Sequence, residues 1–214
     1  MNTAHFPIQK HARVATLGEN NVEIEKIWFV LHGYGYLAPY FVRKFEPIDD
    51  GKTLVVAPEG LHRFYQNGLS GRVGASWMTK EDRLTDIADN NHYLESLWTH
   101  YRNRYTEAKK GFIGFSQGAA TMVRWFCQTN QLPDRVVIWS GSFPQDLDWF
   151  EDIPTLNQRP PTFVLGDNDE FFNEDQIKQQ SNWLKSKNLN FETLRFQGGH
   201  DILPNPLQKI HQSL

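Results

Sequence analysis

Residues 110–120 read KGFIGFSQGAA, a short apolar run that ends at a serine. Glycine stands two residues before Ser116 and two residues after it, which is the GxSxG pattern of a nucleophile elbow. In such an elbow a strand turns sharply into a helix, and Cβ atoms at the two flanking positions would collide with neighbouring elements. The spacing therefore predicts that Ser116 has a strained backbone and a hydroxyl exposed above a sheet.

The residues around Ser116 supply the strand and the helix that this turn requires. Ile113 lies in the apolar run before the serine, and residues 119–127 after it are largely apolar. Gln117 opens the predicted helix, so its backbone N–H is expected where the oxyanion of an acyl-transfer intermediate would form.

Two later segments supply a candidate acid and a candidate base. Residues 161–166 read as a strand that ends in glycine, and Asp167 and Asp169 follow it; residues 190–196 alternate like a last strand, and His200 follows them. The order serine, aspartate, histidine, each placed after a later strand, is that of the elbow-type catalytic triad.

We predict that His200 is the general base for Ser116 and that an aspartate fixes the tautomer of the histidine. Asp169 is the preferred acid, because a loop needs about three residues after the strand to direct a carboxylate towards the histidine. Asp167 stays open as the alternative acid.

A second oxyanion donor is predicted upstream. Residues 24–31 form an apolar run that leads into His32-Gly33-Tyr34-Gly35. An HGxG segment after an early strand lets the backbone approach a reacting carbonyl closely. The N–H of Tyr34 is the expected donor in this loop.

The motifs together resemble the phospholipase/carboxylesterase group of α/β-hydrolases, which includes acyl-protein thioesterases and small bacterial carboxylesterases. The segments that carry the resemblance are HGYG at 32–35, GFSQGAA at 114–120, SG at 140–141, GDND at 166–169 and GGHD at 198–201. It covers nearly the whole chain, and its most specific element is GFSQG. The resemblance implies an α/β-hydrolase fold, the triad Ser116, Asp169 and His200, and the oxyanion donors Tyr34 and Gln117.

Three further side chains are expected to contact substrate. Trp77 belongs to GASW at 74–77, which is similar to a segment near the active site of proteins of this group. Tyr36 departs from the resemblance, because the corresponding loop commonly continues with aspartate, and a tyrosine-rich loop can narrow the pocket. Phe64 lies within residues 58–78, which show no clear period and are expected to form an irregular loop over the substrate pocket.

Alternation of strand-like and helix-like segments predicts one α/β domain over residues 1–214, with a mostly parallel sheet and helices on both faces. Residues 12–17 and 24–31 are expected to pair as an initial hairpin around residues 18–21. No apolar stretch is long enough for a signal peptide or a membrane span, so a cytoplasmic location is expected.

Charge and composition disfavour some classes of binding partner. The net charge is −3 without a basic run, which disfavours nucleic acid and anionic membrane surfaces as partners. The single cysteine, Cys127, lies in an apolar helix and is expected to be a packing residue. His and Cys spacings suited to a metal do not occur, and we expect neither a metal nor a cofactor.

The sequence therefore predicts a serine hydrolase, a carboxylesterase that cleaves small to medium acyl esters through an acyl-enzyme on Ser116. An acyl thioesterase is the first alternative, because the same oxyanion hole serves both carbonyls. A non-catalytic protein that binds a small ligand on the same fold is the alternative from another class. Proteins of the group often pair, so a homodimer remains open.

Overall fold

Strands and helices alternate along the chain in a computed structural model that describes residues 2–18, 23–148 and 151–214. The elements are β1 (Val14–Leu17), β2 (Lys26–Leu31), α1 (Ala38–Phe41), a 3₁₀ segment (Val42–Ile48), β3 (Thr53–Pro58), β4 (His62–Asn67), β5 (Ser70–Ser76), α2 (Arg83–Arg104), β6 (Lys109–Phe115), α3 (Gln117–Gln128), β7 (Arg135–Trp139), α4 (Asp152–Gln158), β8 (Thr162–Gly166), α5 (Glu174–Ser186), β9 (Glu192–Phe196) and α6 (Pro204–Gln212).

Seven of these strands form one sheet in the order β1-β3-β2-β6-β7-β8-β9. β1 runs antiparallel to β3, and the other neighbouring strands are parallel. The expected α/β class and mostly parallel sheet are confirmed. β6 lies at the centre, and the carboxyl ends of β2, β6, β8 and β9 meet at one edge of the sheet, where a site can be assembled from four loops.

Both faces of the sheet are covered, because successive residues of a strand point to opposite sides. In β2, Ile27 and Phe29 belong to a core that includes residues of α2, α3, α4 and α5. Trp28 and Val30 belong to a second core with residues of α1, the 3₁₀ segment and α6. Burial on both faces explains why β2 reads as a continuous apolar run.

Aromatic rings fill the centre of the first core. The Phe112 ring stacks on that of Trp125 at a centroid distance of 4.2 Å and meets the Trp98 ring edge-on at 5.0 Å. The indole N–H of Trp125 donates to Glu95, and that of Trp98 donates to the Gln131 carbonyl. The rings are thus buried while their polar atoms keep hydrogen-bond partners.

The expected hairpin between residues 12–17 and 24–31 is wrong. β1 pairs with β3, with Val14 opposite Pro58 and Leu17 opposite Val55. β2 is buried on both faces and lies between β3 and β6, whereas the half-buried β1 occupies the sheet edge. Of the turn expected at residues 18–21, residues 19–21 lie outside the described part of the chain.

The irregular loop expected over residues 58–78 is also wrong, because most of this segment is a β-hairpin of β4 and β5. The strands are joined through Gly68 and Leu69, and Gly68 has φ +65°. Most side chains of β4 are exposed, so the segment has no apolar period. The two loop residues are Gly68-Leu69, and glycine in the first position of a two-residue hairpin loop is the signal that could have identified this turn.

The aromatic core predicts a large loss of stability when Phe112 is truncated. Phe112→Ala is expected to lower the free energy of unfolding by about 3–5 kcal/mol, because it leaves a cavity among packed rings. Leu69→Ala is the control: this side chain is 96% exposed, and the change is expected to stay within about 0.5 kcal/mol. Urea denaturation measures both, and similar losses in the two variants would contradict the assignment of the core.

Candidate active site

Ser116 sits at a strained turn between β6 and α3. Its φ is 53° and its ψ is −120°. A Cβ atom on Gly114 would lie 2.5 Å from the Ala119 Cα, and one on Gly118 would lie 2.5 Å from the His32 carbonyl oxygen. Since real Cβ atoms do not approach this closely, the turn requires glycine at both positions, as the GxSxG spacing predicts.

His200 is held by Asp169. The Nδ1 atom of His200 lies 3.0 Å from Oδ1 and 2.9 Å from Oδ2 of this carboxylate, whose side chain is 1% exposed. Phe171 donates its backbone N–H to Asp169 Oδ1 at 2.9 Å. A carboxylate only accepts hydrogen bonds, so Nδ1 carries a proton and Nε2 of the neutral ring is left as a base.

Asp167, the alternative acid, points elsewhere. Its Oδ1 atom accepts from Nε of Arg195 at 2.9 Å and lies 2.8 Å from Nη2. Arg195 is also paired with Glu174 at 3.0 Å. The structure thus places Asp169, and not Asp167, against His200.

The two expected oxyanion donors flank Ser116. Gln117 is the first residue of α3, so its N–H has no carbonyl partner one turn earlier in the helix. The loop that carries Tyr34 passes beside the serine, since a Cβ on Gly33 would lie 3.0 Å from the Ser116 Cβ. The next residue, Gly35, donates its N–H to the Ala75 carbonyl at 2.9 Å and fixes the loop against β5.

The side chain of Gln117 has a role that the sequence did not reveal. Its Oε1 atom accepts from the Trp77 N–H at 3.1 Å, and its Nε2 atom donates to the Met78 carbonyl at 2.9 Å. These bonds tie the end of β5 to the start of α3. The glutamine of GFSQG is the sequence signal for this contact, but its position at the start of a helix predicts only the role of its backbone N–H.

A cavity of about 230 Å³ opens in front of Ser116 and His200. Its apolar walls are formed by Met78, Ala120, Phe171 and Phe172. Polar side chains also line it: Thr121, Arg124, Ser140 and Ser142. The candidate nucleophile and base therefore share one cavity that has both apolar and polar walls.

The three expected substrate contacts lie outside this cavity. The Trp77 side chain is fully buried. Its ring lies 4.9 Å from that of His32, and its indole N–H donates to the His32 carbonyl, so Trp77 supports the start of the oxyanion loop. Tyr36 lines a separate cavity together with residues of the oxyanion loop and of the β4–β5 hairpin. Phe64 stacks on Tyr34 at 4.9 Å. Sequence spacing could not distinguish side chains that support the loop from side chains that line the cavity.

His32 is a buried support of the oxyanion loop. Its Nδ1 atom bonds the Gly33 carbonyl at 2.8 Å, and its Nε2 atom accepts the Gly60 N–H at 2.9 Å. Burial lowers the pKa of His32 to about 4, against smaller opposing effects of the Gly33 carbonyl and Glu59. The ring is therefore neutral near pH 7 and suited to this bridging role.

Comparison with known proteins agrees with this geometry. A family model described as "Serine hydrolase (FSH1)" matches residues 26–213. A search of curated proteins gives no match.

Similar solved structures cover nearly the whole chain. Esterase PE8 is 17% identical over 94% of this chain and 97% of its own, with a TM-score of 0.66. Acyl-protein thioesterase 2 of Zea mays is 16% identical over 95% and 97%, with a TM-score of 0.68. The Bacillus cereus carboxylesterase is 14% identical over 94% and 92%, with a TM-score of 0.65. At these identities the likeness concerns the fold, and the expected α/β-hydrolase fold is confirmed.

The pKa of His32 predicts an acid-sensitive stability. The unfolded chain protonates this histidine near 6.5 and the folded chain only near 4, so the stabilisation is complete above pH 6.5 and is lost as the pH falls towards 4. The difference between these two pKa values corresponds to about 3 kcal/mol in the free energy of unfolding. In urea denaturation from pH 7 to 4, wild type is expected to lose about that much more stability than His32→Gln.

The His32 ring can also be followed directly in the wild-type protein. An NMR titration is expected to show its protonation near pH 4. A midpoint near the ordinary histidine value, or equal acid sensitivity of wild type and His32→Gln, would contradict the buried neutral ring.

Proposed function

The chain belongs to the serine hydrolase (FSH1) family, and we propose that it hydrolyses small acyl esters through an acyl-enzyme on Ser116. The observation that carries the proposal is the pairing of His200 with the buried Asp169 at 2.9 and 3.0 Å, in the same cavity as the strained Ser116. The three groups follow β6, β8 and β9, whose carboxyl ends meet at one sheet edge.

Acylation begins when Ser116 Oγ attacks the carbonyl carbon of the ester and His200 Nε2 takes the hydroxyl proton. The carbonyl oxygen becomes an oxyanion, which the N–H groups of Tyr34 and Gln117 stabilise. When the tetrahedral intermediate collapses, the bond to the leaving alcohol breaks and His200 returns the proton to the alcohol oxygen. Asp169 stabilises the imidazolium between these two transfers.

Deacylation repeats the sequence with water as the nucleophile. His200 takes a proton from the water as its oxygen attacks the acyl carbon, and the same two N–H groups stabilise the second oxyanion. Collapse releases a carboxylic acid and returns the proton to Ser116. The two half-reactions thus use the side chains of Ser116, His200 and Asp169, the two backbone N–H groups and water.

The cavity in front of Ser116 is small. Its volume is about 230 Å³, below the roughly 300–1,000 Å³ that is usual for ligand pockets. A short acyl group is therefore favoured over a long chain. A thioester carbonyl would be attacked in the same way, so a small acyl thioester is the related alternative.

We also propose a cytoplasmic location, supported by the single cysteine. Cys127 is half-buried, and burial, with a contribution from Asp152, raises the pKa of its thiol, as suits a reduced packing residue. The described part of the chain contains no helix with the length and hydropathy needed for a membrane crossing.

Ser116 is expected to react with a fluorophosphonate. Mass spectrometry should locate one adduct on Ser116 in wild type and no adduct in Ser116→Ala, because the nucleophile is absent. Hydrolysis of p-nitrophenyl esters from acetate to octanoate is expected to favour the short acyl chains and to fall at least about a thousandfold in Ser116→Ala and His200→Ala. Equal background hydrolysis in all three proteins would refute the proposal.

The two aspartates of the β8 loop provide a matched pair of variants. Asp169→Asn is expected to lower kcat by about 10³–10⁴-fold, because an amide no longer holds the required histidine tautomer. Asp167→Asn removes a carboxylate that pairs with Arg195, away from His200, and its kcat should stay close to that of wild type. Steady-state kinetics with a p-nitrophenyl ester decides between them; the reverse pattern would reassign the acid.

A further inference from the structure

The cavity in front of Ser116 has a cationic wall that hydrolysis of a simple aliphatic ester does not need. Gln117, Thr121 and Arg124 follow one another at helical spacing on one face of α3, and all three line the cavity. Because the elbow fixes the start of α3, it also fixes this face. Arg124 therefore lies about two turns along the helix from the reacting serine.

One edge of the Arg124 guanidinium is paired with the carboxylate of Asp146, and Arg124 also lines the cavity. Nη2 lies 2.8 Å from Oδ1 of Asp146, and Nε lies 3.2 Å from its Oδ2. In the described residues, the polar contact of Nη1 is Met78 Sδ at 3.9 Å. A thioether is a weak acceptor, so Nη1 keeps its capacity to donate to an oxygen.

Asp146 does not neutralise this region completely, because it also binds Arg83 Nη2 at 2.6 Å. Burial would raise the pKa of Asp146, but the hydrogen bond and charge of Arg124, with the charge of Arg83, hold it below its ordinary value. Two guanidinium groups thus share one carboxylate. Of the described residues that line the cavity, none carries a carboxylate, and Arg124 and His200 are the ones with ionisable side chains.

We propose that the preferred substrate carries a carboxylate a few atoms from its ester carbonyl, and that Arg124 binds this carboxylate while the ester lies at Ser116. The inference rests on the ester hydrolysis proposed above and adds the class of substrate. Guanidinium groups match carboxylates in shape and charge, and hydrogen bonds between ionised partners are the strong ones. The apolar walls at Met78, Ala120, Phe171 and Phe172 suit the methylene groups between ester and carboxylate.

Two pairs of esters test the inference and distinguish the side of the ester on which the charge lies. The acyl-side pair is monoethyl glutarate and its primary amide; the alcohol-side pair is 4-acetoxybutanoate and its primary amide. Within each pair only the charge differs. Wild type is expected to hydrolyse the carboxylate of one pair at least about tenfold faster in kcat/KM than the amide, and the pair that responds identifies the side.

Variants of Arg124 and Arg83 distinguish a loss of carboxylate binding from a loss of the folded site. Arg124→Gln is expected to lower the carboxylate-to-amide ratio by about 10–100-fold, and Arg124→Lys should retain part of it. Arg83→Gln is the matched control: it removes the other partner of Asp146, and Arg83 does not line the cavity, so the ratio should fall much less than in Arg124→Gln. Fluorophosphonate labelling of Ser116 in each variant reports that the site is folded.

The inference would be overturned by a wild-type carboxylate-to-amide ratio of kcat/KM of one or less in both pairs. It would also be overturned by an unchanged ratio in Arg124→Gln or by an equal loss in Arg83→Gln. If Arg124→Gln does not fold, glutarate must still inhibit wild type more strongly than glutaramide. Failure of wild type to be labelled or to hydrolyse any of the four esters would instead refute the ester hydrolysis itself.

Discussion

The close contact between β6 and α3 at Ser116 is the constraint on which the rest of the site depends. A serine with φ 53° is tolerated only because Gly114 and Gly118 allow backbone to touch backbone. The same contact places the first N–H of α3 beside the hydroxyl and directs Arg124 into the cavity. A single local strain therefore positions the nucleophile, an oxyanion donor and a wall of the cavity.

The second oxyanion donor depends on a buried layer below it. His32 bridges the oxyanion loop to Gly60, and Trp77 packs on the His32 ring and donates to its carbonyl. Gln117 ties this layer to α3 through the Trp77 N–H and the Met78 carbonyl. The β4–β5 hairpin thus supports the loop that carries Tyr34, although the exposed β4 reads from the sequence as an irregular segment.

Features set by local chemistry could be predicted from the sequence. Glycine spacing identified the turn at Ser116, and the positions of Asp169 and His200 after their strands placed them at the same sheet edge. Features set by distant contacts could not. The pairing of β1 with β3 depends on which strands are buried on both faces. Trp77 is a support because His32 lies against it, and the guanidinium of Arg124 is held by its bonds to Asp146.

The proposed roles of the nucleophile, the base and the oxyanion donors are tested most directly by a crystal structure of the protein after reaction with a small alkyl phosphonate. The phosphorus atom is expected to be bonded to Ser116 Oγ, with one phosphonyl oxygen within about 3.1 Å of the N–H groups of both Tyr34 and Gln117. Nε2 of His200 should lie within hydrogen-bond distance of the adduct. An adduct on another residue would contradict the assignment of Ser116 as the nucleophile, and a phosphonyl oxygen that contacts neither N–H group would contradict the assignment of the oxyanion donors.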